Sequence, residues 1–202
     1  MINIIGIGPG NLNYLTKIGE NIVNKSDVLI GGRRNLDSFK KFSGEKIEIN
    51  GSLNKIIDYI NENKDRNISI IASGDPSIYG IGKYMVNELG RDNVNIVSGI
   101  SSIQYIFSRI GMDMNDIYIS SCHGKQPDFD YILSHKKVAL VTDNIIGPKE
   151  IAKEIIKRKL SKVMVVGENL SYDNERITIG SSEEIINADK FDMNVVVIYD
   201  EG

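Results

Sequence analysis

Short apolar runs recur along this chain, and most of them end in a turn that contains glycine. Runs of about four to eight residues rich in Ile and Val predict buried strands. Between them, apolar residues recur every three or four positions, which predicts helices with one buried face. In the first half, the pattern predicts strands at 2–7, 28–30, 68–72 and 94–97, and helices at 11–24, 53–63, 80–89 and 99–109.

The same alternation restarts after a segment at 111–115 that has the character of a hinge. Strands alternating with helices predict an α/β fold with mostly parallel sheets and helices on their faces. We therefore expect two α/β domains, an N-terminal domain at 1–112 and a C-terminal domain at 113–202. In the second half, the pattern predicts strands at 117–120, 138–142, 163–166 and 194–199, and a helix at 148–159.

The composition narrows the range of possible functions. The 202 residues include 24 basic and 27 acidic side chains, which gives a net charge of −3 without the basic excess of a nucleic-acid binder. No apolar run approaches the roughly 20 residues that span a membrane. The single cysteine, Cys122, cannot form an internal disulfide, so a reducing cytoplasm is the expected compartment. With one Cys and two His, no metal site is expected.

Three turns that contain glycine each follow a predicted strand. In open α/β sheets, ligands bind at the carboxyl ends of strands, and glycine lets the backbone approach a ligand closely. The first turn departs from the dinucleotide motif G-x-G-x-x-G, because Asn11 replaces the third glycine and Pro9 lacks an N–H. A ligand site and a plain strand–helix turn both remain open for it. The three turns lie at 6–10, 73–76 and 98–102.

Charged residues stand in two of the strand-end turns, and each has two interpretations. Asp75 either caps the helix that follows Pro76 or contacts a ligand. Arg33 and Arg34 either clamp the carboxylates of a substrate or form a solvated basic turn.

One histidine follows the predicted hinge. A lone histidine is more often structural or solvated than catalytic, and His123 gains interest from its place between the two halves. Its neighbour Cys122 has no obvious activating group at a fixed spacing, so we interpret it as a small buried residue and not as a nucleophile.

Four segments together resemble the tetrapyrrole (corrin/porphyrin) methylase family, in the family's motif order and over essentially the whole chain. Each segment alone is a weak signal, whereas four in register are specific. Within the family, the segments at 31–34, 121–125 and 141–148 look most like members that methylate C5 of a corrin-pathway ring. The four family-like segments lie at 6–10, 73–80, 99–102 and 167–170.

The resemblance implies two α/β domains with S-adenosylmethionine bound in the cleft between them. It also implies that the activity is methyl transfer to a macrocyclic tetrapyrrole. By their positions in the family's motifs, the residues expected to bind the cofactor are Pro9, Gly74, Asp75, Ile78, Ser101, Ser102, Thr142 and Asn169.

The acceptor implied by the resemblance carries acetate and propionate arms, so Arg33, Arg34 and Lys125 are the candidate substrate-binding residues. Lys125 stands where the family usually has arginine. Lysine keeps the positive charge but lacks the guanidinium that can bind a carboxylate through two hydrogen bonds. Methylation of a ring carbon leaves a proton to be removed, and His123 is the candidate base.

The resemblance further implies a homodimer and a functional pairing with a separate subunit that methylates C15 and decarboxylates. One alternative is an enzyme of the same fold with another acceptor, either another ring position or a protein side chain. A second alternative is a nucleotide-binding module, against which Asn11 counts.

Overall fold

The computed structural model of the protein describes residues 1–124 and 127–201. The chain divides into two compact units, Met1–Ser101 and Ser102–Gly202. Each unit contains one five-stranded sheet with helices packed against it. The α/β class predicted from the alternation of elements is therefore confirmed.

The elements of the first unit alternate between strand and helix, with short 3-10 turns at Leu12–Tyr14 and Arg91–Asn93. Its strands are β1 (Ile2–Gly6), β2 (Val28–Gly31), β3 (Glu45–Glu48), β4 (Ile68–Ala72) and β5 (Val94–Val97), and its helices are α1 (Lys17–Val23), α2 (Arg33–Ser38), α3 (Asn54–Glu62) and α4 (Gly82–Leu89).

The first sheet has the strand order β3-β2-β4-β1-β5, and every pair in it is parallel. Ile4, Ile70 and Ile30 stand in register across its three central strands and are fully buried. Because helices cover both faces of such a sheet, its central strands are apolar on both faces. Parallel strands also place their carboxyl ends at one edge, so the turns after β2, β4, β1 and β5 lie side by side.

The second unit begins with a helix and ends with a strand. Its strands are β6 (Tyr118–Ser121), β7 (Lys137–Val141), β8 (Lys162–Glu168), β9 (Arg176–Ser181) and β10 (Asn194–Asp200), and its helices are α5 (Ser102–Ile110), α6 (Phe129–Leu133), α7 (Pro148–Lys157) and α8 (Ser182–Asn187).

The second sheet has the order β6-β7-β10-β8-β9 and is mixed. Only β6 and β7 pair in parallel, whereas β10 runs antiparallel to both of its neighbours and β9 runs antiparallel to β8. The prediction of a mostly parallel sheet is therefore wrong for this unit and right for the first. The apolar run of β10 is buried on both faces, and such a run has the same appearance in either strand direction.

Helix α5 packs within the second unit, whereas the sequence placed it before a boundary at 112/113. Gly167 of β8 lies so close to Ile106 that a Cβ atom at position 167 would overlap Ile106 Cδ1. Arg109 Nε also donates to Glu175 Oε1 at 2.8 Å. Along the chain, the boundary between the compact units thus falls between Ser101 and Ser102. The domain limits drawn from the sequence remain a prediction.

The segment at 111–115 that the sequence marks as a hinge is fixed to β7 by one amine. Lys137 Nζ donates to Asp113 O at 2.9 Å, to Asp113 Oδ1 at 3.1 Å and to Asn115 O at 3.2 Å. These contacts hold the segment as part of the second unit.

The helix predicted at 11–24 is shorter in the structure. Thr16 ends the preceding turn, and its Oγ1 accepts a hydrogen bond from Gly19 N at 3.1 Å, so that α1 begins at Lys17. Five further elements, β3, α2, α6, β9 and α8, have no counterpart in the prediction. Among the described residues, none of the helices has both the length and the apolarity needed to cross a membrane.

Candidate active site

The turns after β4, β1 and β5 meet at one edge of the first sheet. Gly74 N donates to Gly8 O at 2.7 Å, and Gly8 N donates to Gly74 O at 3.3 Å. A Cβ atom at Gly6 would lie 2.5 Å from Gly74 O and 2.6 Å from Gly99 N. Side chains are excluded here by the approach of the backbones to one another, and this approach fixes the three turns relative to each other.

Asp75 ties two of these turns together. Its Oδ1 accepts from Ser77 N at 2.7 Å, and its Oδ2 accepts from Gly99 N at 3.1 Å. It does not cap the following helix, because α4 begins at Gly82 and its N-cap residue is Ile81. The capping interpretation is therefore wrong. Both carboxylate oxygens face backbone N–H groups of the glycine turns.

The other predicted cofactor residues of this edge differ in exposure. Pro9 is buried and Ile78 is half-buried, with Ile78 N donating to Asp75 O at 3.2 Å. Ser101 is 4 % exposed, and Ser102 is the first residue of α5. The structure thus brings the residues of the first unit to one sheet edge and places Ser102 at the start of the second unit.

Arg33 and Arg34 begin α2, directly after β2, which neighbours β4 in the sheet. Arg34 Nη2 donates to Ser73 Oγ at 3.2 Å, and Ser73 Oγ donates to Asn35 Oδ1 at 3.0 Å. Arg34 therefore lies beside the turn that carries Asp75. Arg33 is exposed.

Thr142 and Asn169 follow β7 and β8, the two neighbours of β10, so both lie at the end of the sheet where β10 begins. Thr142 Oγ1 donates to Asn194 O at 2.7 Å and to Asn194 Oδ1 at 2.9 Å. Asn169 has a φ of 46°, and its N and Nδ2 donate to Met193 O at 2.9 Å and to Asp192 Oδ2 at 3.1 Å. Both predicted residues thus hold the segment that precedes and begins β10.

An open cavity of about 770 Å³ lies at this end of the second sheet. Its walls come from the loop after β7, the start of α7 and the segment before β10. Thr142 is among the residues that line it, and so is each residue from Lys190 to Asn194. This cavity is the candidate site within the second unit.

His123 stands exposed in the turn after β6, next to the loop that begins at Asp143. Asp143 Oδ1 accepts from Ile146 N and Ile145 N at 2.8 Å each, and Oδ2 accepts from Gly124 N at 3.2 Å. These N–H groups hold the pKa of the Asp143 carboxyl below its usual range, and the charge of nearby His123 lowers that pKa further. Lys125, the remaining predicted substrate residue, lies outside the described residues.

The sequence reasoning missed a buried carboxylate at Glu168, which is 1 % exposed. Arg176 Nε and Nη2 donate to its two oxygens at 2.7 and 2.9 Å. The sequence did contain a signal for this pair, namely an acidic residue at the end of an apolar strand and an arginine eight positions later. The sequence also offered no indication that the Asp143 carboxylate would accept hydrogen bonds from the backbone of its own loop and from Gly124.

Each of these edges, taken by itself, carries polar and apolar groups of the kinds that bind S-adenosylmethionine. In the first unit, these groups are the backbone amides and carbonyls of the glycine turns, the Asp75 carboxylate and the half-buried apolar surface of Ile78. In the second unit, the Thr142 and Asn194 side chains line the cavity. Ribose hydroxyls and an amino-acid group can bind to such backbone and side-chain polar atoms, and an adenine ring packs on apolar surface.

Comparison with known proteins identifies the family of the chain. The family model for tetrapyrrole (corrin/porphyrin) methylases matches residues 1–186. The structure also superimposes on uroporphyrin-III C-methyltransferase from Thermus thermophilus, solved in complex with S-adenosyl homocysteine, with a TM-score of 0.82. That match has 18 % sequence identity and covers 98 % of this chain and 96 % of the other.

Two curated relatives are similar over nearly their whole length. Cobalt-precorrin-7 C(5)-methyltransferase of Salmonella typhimurium is 40 % identical over 202 residues, with all of both chains covered. Probable cobalt-precorrin-7 C(5)-methyltransferase of Methanocaldococcus jannaschii is 35 % identical, with 99 % of this chain and 98 % of the relative covered. The chain therefore belongs to the tetrapyrrole (corrin/porphyrin) methylase family and is an S-adenosylmethionine-dependent methyltransferase.

Proposed function

We propose that this protein transfers a methyl group from S-adenosylmethionine to C5 of cobalt-precorrin-7, in the corrin pathway of cobalamin biosynthesis. The choice of this acceptor rests on the sequence identity of 40 % to the Salmonella typhimurium enzyme, in an alignment that covers all of both chains. The matched family model supports the broader assignment, a tetrapyrrole methylase.

S-adenosylmethionine supplies an activated methyl group whose transfer leaves a neutral thioether. The protein's part is therefore mainly to align donor and acceptor, which can contribute about 7–11 kcal/mol to lowering the barrier. The proposed cofactor-binding residues of the first unit are Pro9, Gly74, Asp75, Ile78 and Ser101, and those of the second unit are Ser102, Thr142 and Asn169. Turns that are fixed by backbone contacts suit such alignment, because little conformational freedom is lost when the ligand binds.

The acceptor's carboxylate arms are the proposed partners of Arg33, Arg34 and Lys125. Of the two arginines, Arg34 is the better placed, because its contact with Ser73 sets it beside the turn of Asp75. His123 is the proposed base for the proton that the methylated ring carbon releases. Its exposure at a strand end supports this role, since a buried histidine could not reach a macrocycle.

We further propose that the enzyme is a cytoplasmic homodimer and works in sequence with a separate protein that methylates C15 and decarboxylates. The single buried cysteine suits a reducing compartment.

The test is an assay of the purified protein with cobalt-precorrin-7 and S-adenosylmethionine labelled with ¹³C in its methyl group. We expect one labelled methyl group on the product, assigned by NMR to C5. Label at another ring carbon would reassign the regiochemistry within the family. No transfer by a folded protein that still binds S-adenosylhomocysteine would show that the acceptor is a different molecule.

A further inference from the structure

Residues 190–194, called here the wall segment, form one side of the cavity in the second unit. Contacts from neighbouring strand ends hold each of these residues. Arg176 Nη2 donates to Lys190 O at 3.4 Å, and the Arg176 guanidinium carbon lies 6.0 Å from the centre of the Phe191 ring. Asn169 donates to the two following residues, and Thr142 donates to Asn194 O. A segment that precedes a strand is thereby fixed along its whole length.

Glu168 is the buried centre of these contacts. Its Oε1 accepts from Asp192 N at 2.9 Å and from Arg176 Nη2 at 2.9 Å, while its Oε2 accepts from Arg176 Nε at 2.7 Å. It stands directly opposite Arg176 across the β8–β9 pair and opposite Asn194 across the β8–β10 pair. One carboxylate therefore joins three neighbouring strand ends.

The Glu168–Arg176 pair is asymmetric. The Glu168 side chain is 2 % exposed, whereas the Arg176 side chain is 56 % exposed. A buried carboxylate needs its full set of donors, and here they come from one bidentate guanidinium and one backbone N–H of the wall segment. The conformation of the wall segment at Asp192 is thus linked to the satisfaction of a buried charge.

We propose that Glu168, held by Arg176, is a positioning residue that keeps the wall segment in the conformation that binds S-adenosylmethionine. The inference rests on the proposed function, because it takes this cavity as part of the cofactor site. Neither residue needs to touch the cofactor. Their effect passes through the backbone of the wall segment, whose ordered conformation is the one competent to bind.

Glutamine at position 168 tests this role with almost no change of shape. Its amide nitrogen replaces one oxygen, so either the single donor at Oε2 or both donors at Oε1 meet an NH₂ group instead of an acceptor. The remaining hydrogen bonds lose the strengthening effect of the carboxylate charge. The wall segment should then spend only a fraction of its time in the competent conformation, and the apparent dissociation constant rises in inverse proportion to that fraction.

The experiment compares Glu168→Gln and Arg176→Lys with the wild type. Dissociation constants for S-adenosylhomocysteine come from calorimetry, and hydrogen exchange reports on the amides of the wall segment. For Glu168→Gln we expect about tenfold weaker binding, faster exchange at Asp192, and a kcat at saturating S-adenosylmethionine within about twofold of wild type. The dissociation constant for Arg176→Lys should lie between those of the wild type and Glu168→Gln, because lysine keeps the positive charge but cannot bind both carboxylate oxygens as the guanidinium does.

The control variant is Glu45→Gln, at a carboxylate whose side chain is 45 % exposed. Glu45 also pairs with an arginine, accepting from Arg66 Nη1 at 2.6 Å. It is the first residue of β3 and therefore lies at the amino ends of the strands of the first sheet, away from the glycine turns. This variant should bind S-adenosylhomocysteine as the wild type does and leave exchange in the wall segment unchanged.

Equal affinity of the wild type and both folded variants would overturn the inference while leaving the proposed function intact. If Glu168→Gln does not fold, Arg176→Lys decides the question, because its substitution lies on the exposed side of the pair. A wild-type protein that does not bind S-adenosylhomocysteine would overturn the cofactor assignment, and with it this inference.

Discussion

At the scale of single residues, carboxylates at strand ends join segments that are distant in the sequence. Asp75 accepts from an N–H group 24 positions later, Asp143 from one 19 positions earlier and Glu168 from one 24 positions later. Each carboxylate accepts from backbone N–H groups, which have fixed directions, so the geometry of a turn is set more tightly than by packing alone. The sequence marked Asp75 as important, but not its partner, because contacts over such separations have no local pattern.

Asp75→Ala should weaken the binding of S-adenosylhomocysteine, because the turn that carries Gly99 loses its tie to the turn after β4. We expect about a tenfold rise in the dissociation constant measured by calorimetry, together with a loss of stability of about 1.5–3 kcal/mol.

Asp27→Ala is the matched control for this prediction. Asp27 Oδ2 likewise accepts from a backbone N–H, that of Asn67, at 2.8 Å, but at the amino edge of the same sheet. This variant should lose stability and keep its affinity. If both variants bind alike, the carboxylate at 75 serves the fold and not the ligand.

At the scale of elements, the position of α5 is decided by a glycine in β8. Gly167 leaves space that Ile106 fills, and Leu170 lies against the same place, 2.9 Å from where a Cβ atom would stand. The helix therefore lies with the second sheet, although it follows directly from a strand of the first. Close packing of this kind leaves no room for an added methyl group.

Gly167→Ala should destabilise the protein by about 1–3 kcal/mol, as overpacking of a core does. Ile106→Val removes the Cδ1 atom that the new methyl group meets, and alone it should cost about 0.5–1.5 kcal/mol. The double variant should lose less than the sum of the two, as measured by chemical denaturation. Strict additivity would show that α5 does not pack on this glycine in solution.

Long apolar runs predicted their elements, and short or half-exposed ones did not. The strand at 68–72 was found at the position predicted, because a fully buried run bounded by turns is distinctive. Helices of five or six residues, such as Phe129–Leu133 and Ser182–Asn187, are too short to show a period. Missing Arg176–Ser181 as a strand also concealed the hairpin with β8, and with it the antiparallel direction.

At the scale of the whole molecule, the alternation of strands and helices predicted the α/β fold class, whereas the cofactor was predicted only by the family motifs. The first glycine turn was open to two interpretations, and its pairing with the turn after β4, through Gly8 and Gly74, is a tertiary contact that no local pattern shows. Similarly, one side of the cavity in the second unit is formed by residues 190–194, a stretch of mixed polar and apolar residues in which the sequence shows no motif.

S-adenosylhomocysteine should raise the melting temperature of the protein, and NAD and NADP should not. A ligand that binds only the folded state stabilises it by about 2.7 kcal/mol at a hundredfold excess over its dissociation constant. For a chain of this length, that corresponds to a shift of about 5–11 °C in a thermal melt. A shift with NAD and none with S-adenosylhomocysteine would contradict the cofactor assignment.

The central place of β10 in the second sheet has a consequence for the order in which the protein is made. The first sheet has all of its strands once residue 97 has left the ribosome, whereas β10 joins β7 to β8 and becomes available only with residue 200. At about 5–20 residues per second, the first sheet is complete roughly 5–20 seconds before the second can close. Until then, β6–β7 and β8–β9 remain separate two-stranded pieces with open edges, so the newly made second half is where protection by chaperones matters most.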